Sequence, residues 1–339
     1  MHDLTYKPEW VREDFIDFIA EKINPVWAWK RVKASMQQRE ALSADFFQLQ
    51  FRPNGNFHAQ QFQPGQSVLL TVVLAGVRQQ RSYSVVEILA NGDVVIAVKA
   101  QGRVSNYLSR MPKGEVVELS QTQGDFVLSA DNRNIVLLAS GSGITAIYAL
   151  LQQASAQGFD KIDLLYFSRD DAFHVKLQAL AQQYPQLNYH YFNTRQQAQH
   201  LEQALLEQLI PDVAARISYA CGAAAMMQAA QQIYRQLNLS HQLKTEYFQL
   251  AVDESVAEQP VKFLRSQTEF QAKHSLLDSA EKAGLRPSHG CRIGICNTCT
   301  CTKVSGATKN LLTGEIDQSS NSQIKLCISQ AISPVVINL

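Results

Sequence analysis

Four of the six cysteines in this 339-residue chain crowd between Cys291 and Cys301, with Cys327 after them and Cys221 well before. Cys291, Cys296 and Cys299 give C-x4-C-x2-C, and Cys327 follows after 27 intervening residues. This spacing constrains the fold more than any other feature. Three thiolates on one tight loop and a fourth from elsewhere can enclose one metal centre. Disulfides explain the pattern less well, since a chain of this length buries a core without staples. Zinc also fits poorly, because zinc knots pair two C-x2-C units, whereas here the x4 gap and the lone distant cysteine break that symmetry. Gly290 and Gly294 flank the loop, where the lack of a side chain lets backbone N–H groups turn toward sulfur. Cys301 is left over and is expected to point away from the centre.

The same spacing serves plant-type 2Fe-2S ferredoxins, which makes Cys291, Cys296, Cys299 and Cys327 the expected metal ligands. The surrounding unit, residues 259–339, carries nine Lys or Arg against five Asp or Glu. Free plant-type ferredoxins are typically acidic because they dock on basic partners. The basic excess here is expected if the electron source is fused in the same chain.

The length suits two or three domains, and a composition 46% hydrophobic and 18% charged is that of a globular protein. A formal charge of +1, with no long block of like charge, gives no reason to expect nucleic acid as a partner. No apolar run reaches the roughly 20 residues of a spanning helix. Met1 to Trp10 lacks an apolar signal segment, so the expected location is cytoplasmic.

Residues 1–34 read as a helical extension, with an amphipathic pattern from Trp10 to Ile23. All three tryptophans (Trp10, Trp27, Trp29) lie here beside Lys30, Arg31 and Lys33. The extension suits packing on the following domain, or a peripheral contact with a membrane interface or a partner surface. Residues 35–130 break into short β-rich runs with turn signals between them: Phe46–Phe51, Ser67–Leu74, Arg81–Ile88, Val94–Lys99 and Val116–Leu119. That spacing predicts an antiparallel barrel. Residues 131–250 change to apolar strands alternating with helices, an α/β unit with a parallel sheet. Residues 251–258 read as a linker. Residues 259–339 hold two strands, a helix capped by Ser275, and the cysteine loop, an α+β unit of β-grasp type.

Several motifs fall on these units in order. Arg81-Ser82-Tyr83-Ser84 resembles the R-x-Y-S flavin motif of the ferredoxin–NADP reductase family. The resemblance implies that Arg81 meets phosphate, Tyr83 stacks on the isoalloxazine, and Ser84 bonds its N5 edge. Gly102-Arg103-Val104-Ser105-Asn106 matches the family's second flavin motif, a turn that presents backbone donors to the diphosphate. Gly141-Ser142-Gly143-Ile144-Thr145, directly after an apolar strand, is a turn where N–H groups can approach a nucleotide pyrophosphate. It matches the family's G-x-G-x-[ST] turn, except that Ala146 replaces the usual Pro. Cys221-Gly222 resembles the family's C-G-P signature near the nicotinamide, with Ala223 for Pro, and a buried structural cysteine is the alternative reading. Glu246 sits where relatives carry an acidic residue near hydride transfer, so Ser84, Cys221 and Glu246 are the candidate catalytic residues. Ser168-Arg169 and Thr194-Arg195 follow the second and third strands of the parallel sheet and suit a 2′-phosphate, favouring NADPH, whereas Asp170 and Asp171 nearby would favour NADH.

The resemblance therefore implies FAD, a 2Fe-2S cluster and NADPH, with electrons passing to a protein acceptor. The domain order resembles the phthalate-dioxygenase-reductase-like branch. Pro25-Val26-Trp27, Gly102–Leu108 and Pro287–Cys296 resemble the reductases that serve membrane fatty-acid or acyl-CoA desaturases. The reductase component of a ring-hydroxylating or other oxygenase, or of a hybrid-cluster protein, needs the same modules. A non-enzymatic redox sensor or ferredoxin-like carrier would not need Arg81, Tyr83, Gly141 and Gly143 together.

Overall fold

The computed structural model describes residues 13–248 and 255–339. Residues 1–12 of the expected extension, with Trp10, and 251–254 of the expected linker lie outside the described residues.

Helix α1 (Glu13–Ile23) precedes strands β1 (Val32–Ala41), β2 (Phe46–Pro53), β3 (Ser67–Leu74), β4 (Val77–Ile88) and β5 (Val94–Lys99), then helix α2 (Arg103–Leu108) and strand β6 (Val116–Leu119). The six strands close into an antiparallel barrel of order β1-β2-β5-β4-β3-β6. Closure removes exposed sheet edges and buries Met36, Leu49, Phe51, Leu70 and Ile96 inside. Strand β1 is absent from the runs read above because only its first half turns apolar residues inward, while its last four residues are exposed. It begins at Val32 and so crosses the border expected at 34/35, because Val32 and Ala34 belong to the barrel core.

The parallel unit comprises β7 (Asn134–Ser140), α3 (Ile144–Ala156), β8 (Lys161–Ser168), α4 (His174–Gln183), β9 (Leu187–Asn193), α5 (Gln203–Leu209), β10 (Ile217–Gly222), α6 (Ala224–Gln236) and β11 (Leu243–Tyr247). The sheet order is β11-β10-β7-β8-β9, with every pair parallel. The chain runs outward from β7 through β8 to β9, then returns to the other side as β10. This reversal opens a crevice beyond the carboxyl ends of β7 and β10, where such sheets bind ligands. Ile135 to Ala139 is buried on both faces, which explains its unbroken apolar run.

The last unit contains β12 (Gln259–Phe263), β13 (Thr268–Ala272), α7 (Leu276–Lys282), β14 (Thr300–Ser305), β15 (Thr308–Asn310), β16 (Ile316–Asp317), β17 (Ser322–Lys325), β18 (Ser329–Ala331) and β19 (Val335–Ile337). A mixed sheet of order β13-β12-β19-β14-β17 packs against α7, and a small sheet β16-β15-β18 stands beside it. Ser275 caps α7 as the sequence predicts, its Oγ accepting from the Asp278 N–H at 3.1 Å.

Two glycines hold the crevice together. A Cβ on Gly143 would stand 2.1 Å from the Cys221 carbonyl oxygen, and one on Gly222 would stand 2.2 Å from Ser140 Oγ. Both contacts are with rigid strand ends. Gly143→Ala should therefore destabilise the chain by about 2 kcal/mol, as overpacking does, read as a lowered denaturant midpoint. A change below about 0.5 kcal/mol, the scale of an ordinary surface substitution, would show that the strand ends can part freely.

Candidate functional site

The crevice above β7 and β10 is a cavity of about 630 Å³ lined by Ser140, Gly141, Ser142, Ser168, Arg169 and Gly222, among others. Gly141 adopts φ +51°, the left-handed geometry that bends the chain from strand into helix. Thr145 Oγ1 donates to the Ser142 carbonyl at 3.0 Å and fixes the first turn of α3. Ser140 Oγ accepts from Ala223 N–H at 2.8 Å and ties the two strand ends together. Thr194 and His200 also line it. No carboxylate lines this crevice among the described residues; Asp170 is instead turned to Lys99, with its Oδ2 2.6 Å from Nζ. Asp171 and Arg195 line a neighbouring cavity of about 820 Å³.

A second cavity of about 310 Å³ lies between barrel and crevice, walled by Arg81, Tyr83 and Ser84 from β4 and by Gly102, Arg103, Val104 and Ser105 from the α2 turn. Ser142 and Thr145 reach it from the other side. Ser105 Oγ accepts from Gly102 N–H at 3.0 Å and Gln101 N–H at 3.2 Å, so that hydroxyl shapes the turn itself. Burial pushes the Tyr83 phenol above its ordinary value, which keeps it neutral. Arg81 is held below its ordinary value by burial and by the neighbouring guanidinium of Arg292.

Ser84, Cys221 and Glu246 come together on three strands. Cys221 pairs in register with Glu246 across β10 and β11, and the Ser84 hydroxyl lies near the Glu246 carboxyl. Burial, the charge of Asp125 and, in the opposite sense, the Ser84 hydroxyl leave Glu246 pushed up to about 8. Burial and Glu246 raise the Cys221 thiol well above its usual value, so it is not a thiolate at neutral pH. Ser84 Oγ and Glu246 Oε2 are buried without hydrogen-bond partners among the described residues. Ser84 lines the second cavity beside Tyr83, where an unpaired buried hydroxyl fits the polar edge of a flavin, whereas Cys221 and Glu246 are not among the residues lining that cavity or the crevice.

The four predicted ligand cysteines converge on one side of the last unit. The loop between α7 and β14 wraps through left-handed positions at Arg292 (φ +64°), Gly294 (φ +85°) and Asn297 (φ +59°). Ile295 N–H and Cys296 N–H donate to Cys291 Sγ at 3.2 and 3.3 Å, and Cys291 N–H donates to Cys296 Sγ at 3.3 Å. Cys299 Sγ lies 3.2 Å from Cys327 Sγ without a disulfide. Among the described residues no three His, Cys, Asp or Glu side chains are grouped as ligands of a single ion. Amide donors aimed at sulfur fit a sulfide-bridged cluster that spans more space than one ion. A Cβ on Gly290 would stand 2.9 Å from Cys296 Sγ and 3.1 Å from Gln80 Oε1, which places the cysteine loop directly on β4. Cys301 lies buried in the core of this unit, and burial pushes its thiol up to about 12.

Phe248 was not singled out from the sequence. It lines the crevice above β7 and β10, the cavity between barrel and crevice, and a third cavity of about 410 Å³ that also touches Arg81, Cys291, Arg292 and Cys327. Lys99, also missed, lines the first two. The available signals were an aromatic two residues after a buried acid, and a cation closing an otherwise apolar strand.

Residues 33–128 match the oxidoreductase FAD-binding domain family, 137–232 the oxidoreductase NAD-binding domain family, and 262–331 the 2Fe-2S iron-sulfur cluster binding domain family. The chain is 28% identical over 332 residues to an NADPH oxidoreductase of Mycobacterium tuberculosis (strain ATCC 25618 / H37Rv), covering 93% of this chain and 86% of that protein. It is 31% identical over 234 residues to the ferredoxin reductase component of 3-ketosteroid-9-alpha-monooxygenase from M. tuberculosis (strain CDC 1551 / Oshkosh), covering 63% of this chain and 65% of that relative. Among solved structures, phthalate dioxygenase reductase superposes with a TM-score of 0.61 at 23% identity, covering 91% of this chain and 98% of that one, and shares its fold.

The raised Glu246 carboxyl sets a pH dependence. The folded chain binds this proton more tightly than the unfolded chain, so the stabilisation is complete below about 4.5 and is lost as pH rises through about 8. Thermal midpoints of the flavin-loaded chain from pH 5 to 9 should fall more steeply for the wild type than for Glu246→Gln. Parallel curves would place the ionisation elsewhere.

Proposed function

We propose that this chain, which belongs to the ferredoxin reductase-type flavoproteins with FAD-binding, NAD-binding and 2Fe-2S domains in that order, takes electrons from NADPH and delivers them singly to the protein acceptor of an oxygenase-type system. The observation that carries this reading is Phe248, one residue lining the crevice, the cavity beside the barrel and the cavity at the cysteine loop. When bound, the flavin supplies conversion of an electron pair into single electrons, and the cluster supplies their carriage.

The chain's own residues take these parts. Arg81 and the turn from Gly102 to Ser105 bind flavin phosphates, while Tyr83 and Ser84 orient its ring. Gly141, Gly143 and Thr145 receive the coenzyme pyrophosphate. Cys221, Gly222 and Glu246 seat the nicotinamide. The neutral Cys221 thiol packs without adding charge, and Glu246, protonated below about 8, can donate a hydrogen bond. Cys291, Cys296, Cys299 and Cys327 hold the cluster beside β4.

NADPH is the coenzyme we assign, because Ser168 and Arg169 border the crevice and Asp170 is engaged by Lys99. A 2′-phosphate gains a charge-assisted contact from Arg169 that a free ribose does not. For the acceptor, the names of relatives favour an oxygenase component. A membrane di-iron desaturase is the second reading, favoured by the apolar surface on α1.

Arg169→Ala should raise the KM for NADPH about tenfold, the cost of one charge-assisted bond, and leave that for NADH nearly unchanged. An equal rise for both would remove Arg169 from the 2′-phosphate. Cys327→Ser should keep NADPH-dependent ferricyanide reduction while abolishing cytochrome c reduction; retained cytochrome c reduction would show that electrons leave without the cluster.

A further inference from the structure

Helix α1 is mounted with its charged side inward. Asp17 is fully buried, its Oδ2 2.6 Å from Arg31 Nε and its Oδ1 accepting the Trp29 N–H at 2.6 Å. Glu21 pairs with Lys33 at the start of β1. The opposite side carries Phe15, Phe18, Ile19, Lys22 and Ile23, spaced i, i+3, i+4, i+7 and i+8. This is the apolar stripe that a helix ordinarily buries, yet Phe15 is 64%, Phe18 57% and Ile23 70% exposed. Trp27 and Trp29 extend it at 53% and 48% exposed. Six of the eleven exposed large hydrophobic residues of the described chain lie within these fifteen positions.

The structure assigns this ridge to an anionic lipid surface, and we propose that the chain lies on membranes through α1 and the Trp27–Trp29 turn. Three observations favour lipid over protein. The cations border the apolar rings, with Lys22 Nζ 5.4 Å from the Phe18 ring centroid and Lys30 Nζ 5.1 Å from that of Trp29. Asp17 is buried against Arg31, and Glu21, its side chain 39% exposed, is neutralised by Lys33 and Arg31, so Lys22 gives the ridge the sign that anionic headgroups attract. The groove beside α1, lined by Phe18, Lys22 and Val73, is also lined by the paired charges Arg31, Glu118, Lys33 and Glu21, so the apolar surface is the ridge and not a groove shaped for a peptide. Among the described residues no helix is long and apolar enough to cross a membrane, and tryptophans beside lysines suit the headgroup layer. The inference does not rest on the electron relay proposed above.

Flotation of the full-length flavin-loaded protein with phosphatidylcholine–phosphatidylglycerol vesicles tests it. The expected result is co-flotation that weakens on pure phosphatidylcholine and at high salt. Phe18→Ser combined with Ile23→Ser should lower the bound fraction about tenfold, because membrane binding follows the buried apolar area, and leave NADPH-dependent ferricyanide reduction unchanged. Lys22→Glu should weaken binding only on the anionic vesicles. Absence of flotation on both vesicles would overturn the proposal. So would a wild-type dimer in light scattering that the double variant breaks without any vesicle binding, since the ridge would then belong to a second copy.

Discussion

The site depends on the contact between the Gly141–Gly143 turn and the end of β10. Backbone meets backbone there too closely for any side chain, and Ser140 is bonded to the amide that opens the segment beyond β10. That closeness sets the start of α3 against the end of β10, where Gly222 lines the crevice and Cys221, buried just before it, pairs in register with Glu246 one strand over. The barrel then presents Ser84 to Glu246, two buried polar groups without hydrogen-bond partners among the described residues. Loss of the close approach would separate the groups that give the site its chemistry.

Electron transfer is a matter of distance, and the chain brings its third domain near by local means. Gly290 leaves room for Gln80 against Cys296, one residue from Arg81, while Arg292 is tied to Asp278, Glu281 and His289 within its own unit. The cavity shared by Arg81, Arg292, Cys291 and Cys327 marks where β4 and the cysteine loop meet, and Phe248 also lines it.

Much of this was readable from sequence where the determinant is local. The cysteine spacing, the Arg81–Ser84 run and the glycine turn each carry their chemistry within a few residues. The Ser275 cap and strands such as Val94–Lys99 were readable for the same reason. Phe248 was not legible, because its place depends on three units packing around one ring. The role of Asp170 was open in the sequence, since only the fold brings Lys99 from the barrel to it across 71 positions. The periodicity of α1 announced an amphipathic helix without saying which side faces the protein. That depends on Arg31 and Lys33, which the turn after α1 brings back beneath Asp17 and Glu21.

The central claim is that three sites in one chain act as one relay. The direct measurement is anaerobic stopped-flow reduction of the holoprotein by NADPH, following flavin and 2Fe-2S absorbance at several protein concentrations. The account predicts that flavin bleaching is followed by loss of cluster absorbance at a rate independent of protein concentration. A cluster that stays oxidised after the flavin is reduced, or a rate that climbs with protein concentration, would contradict it.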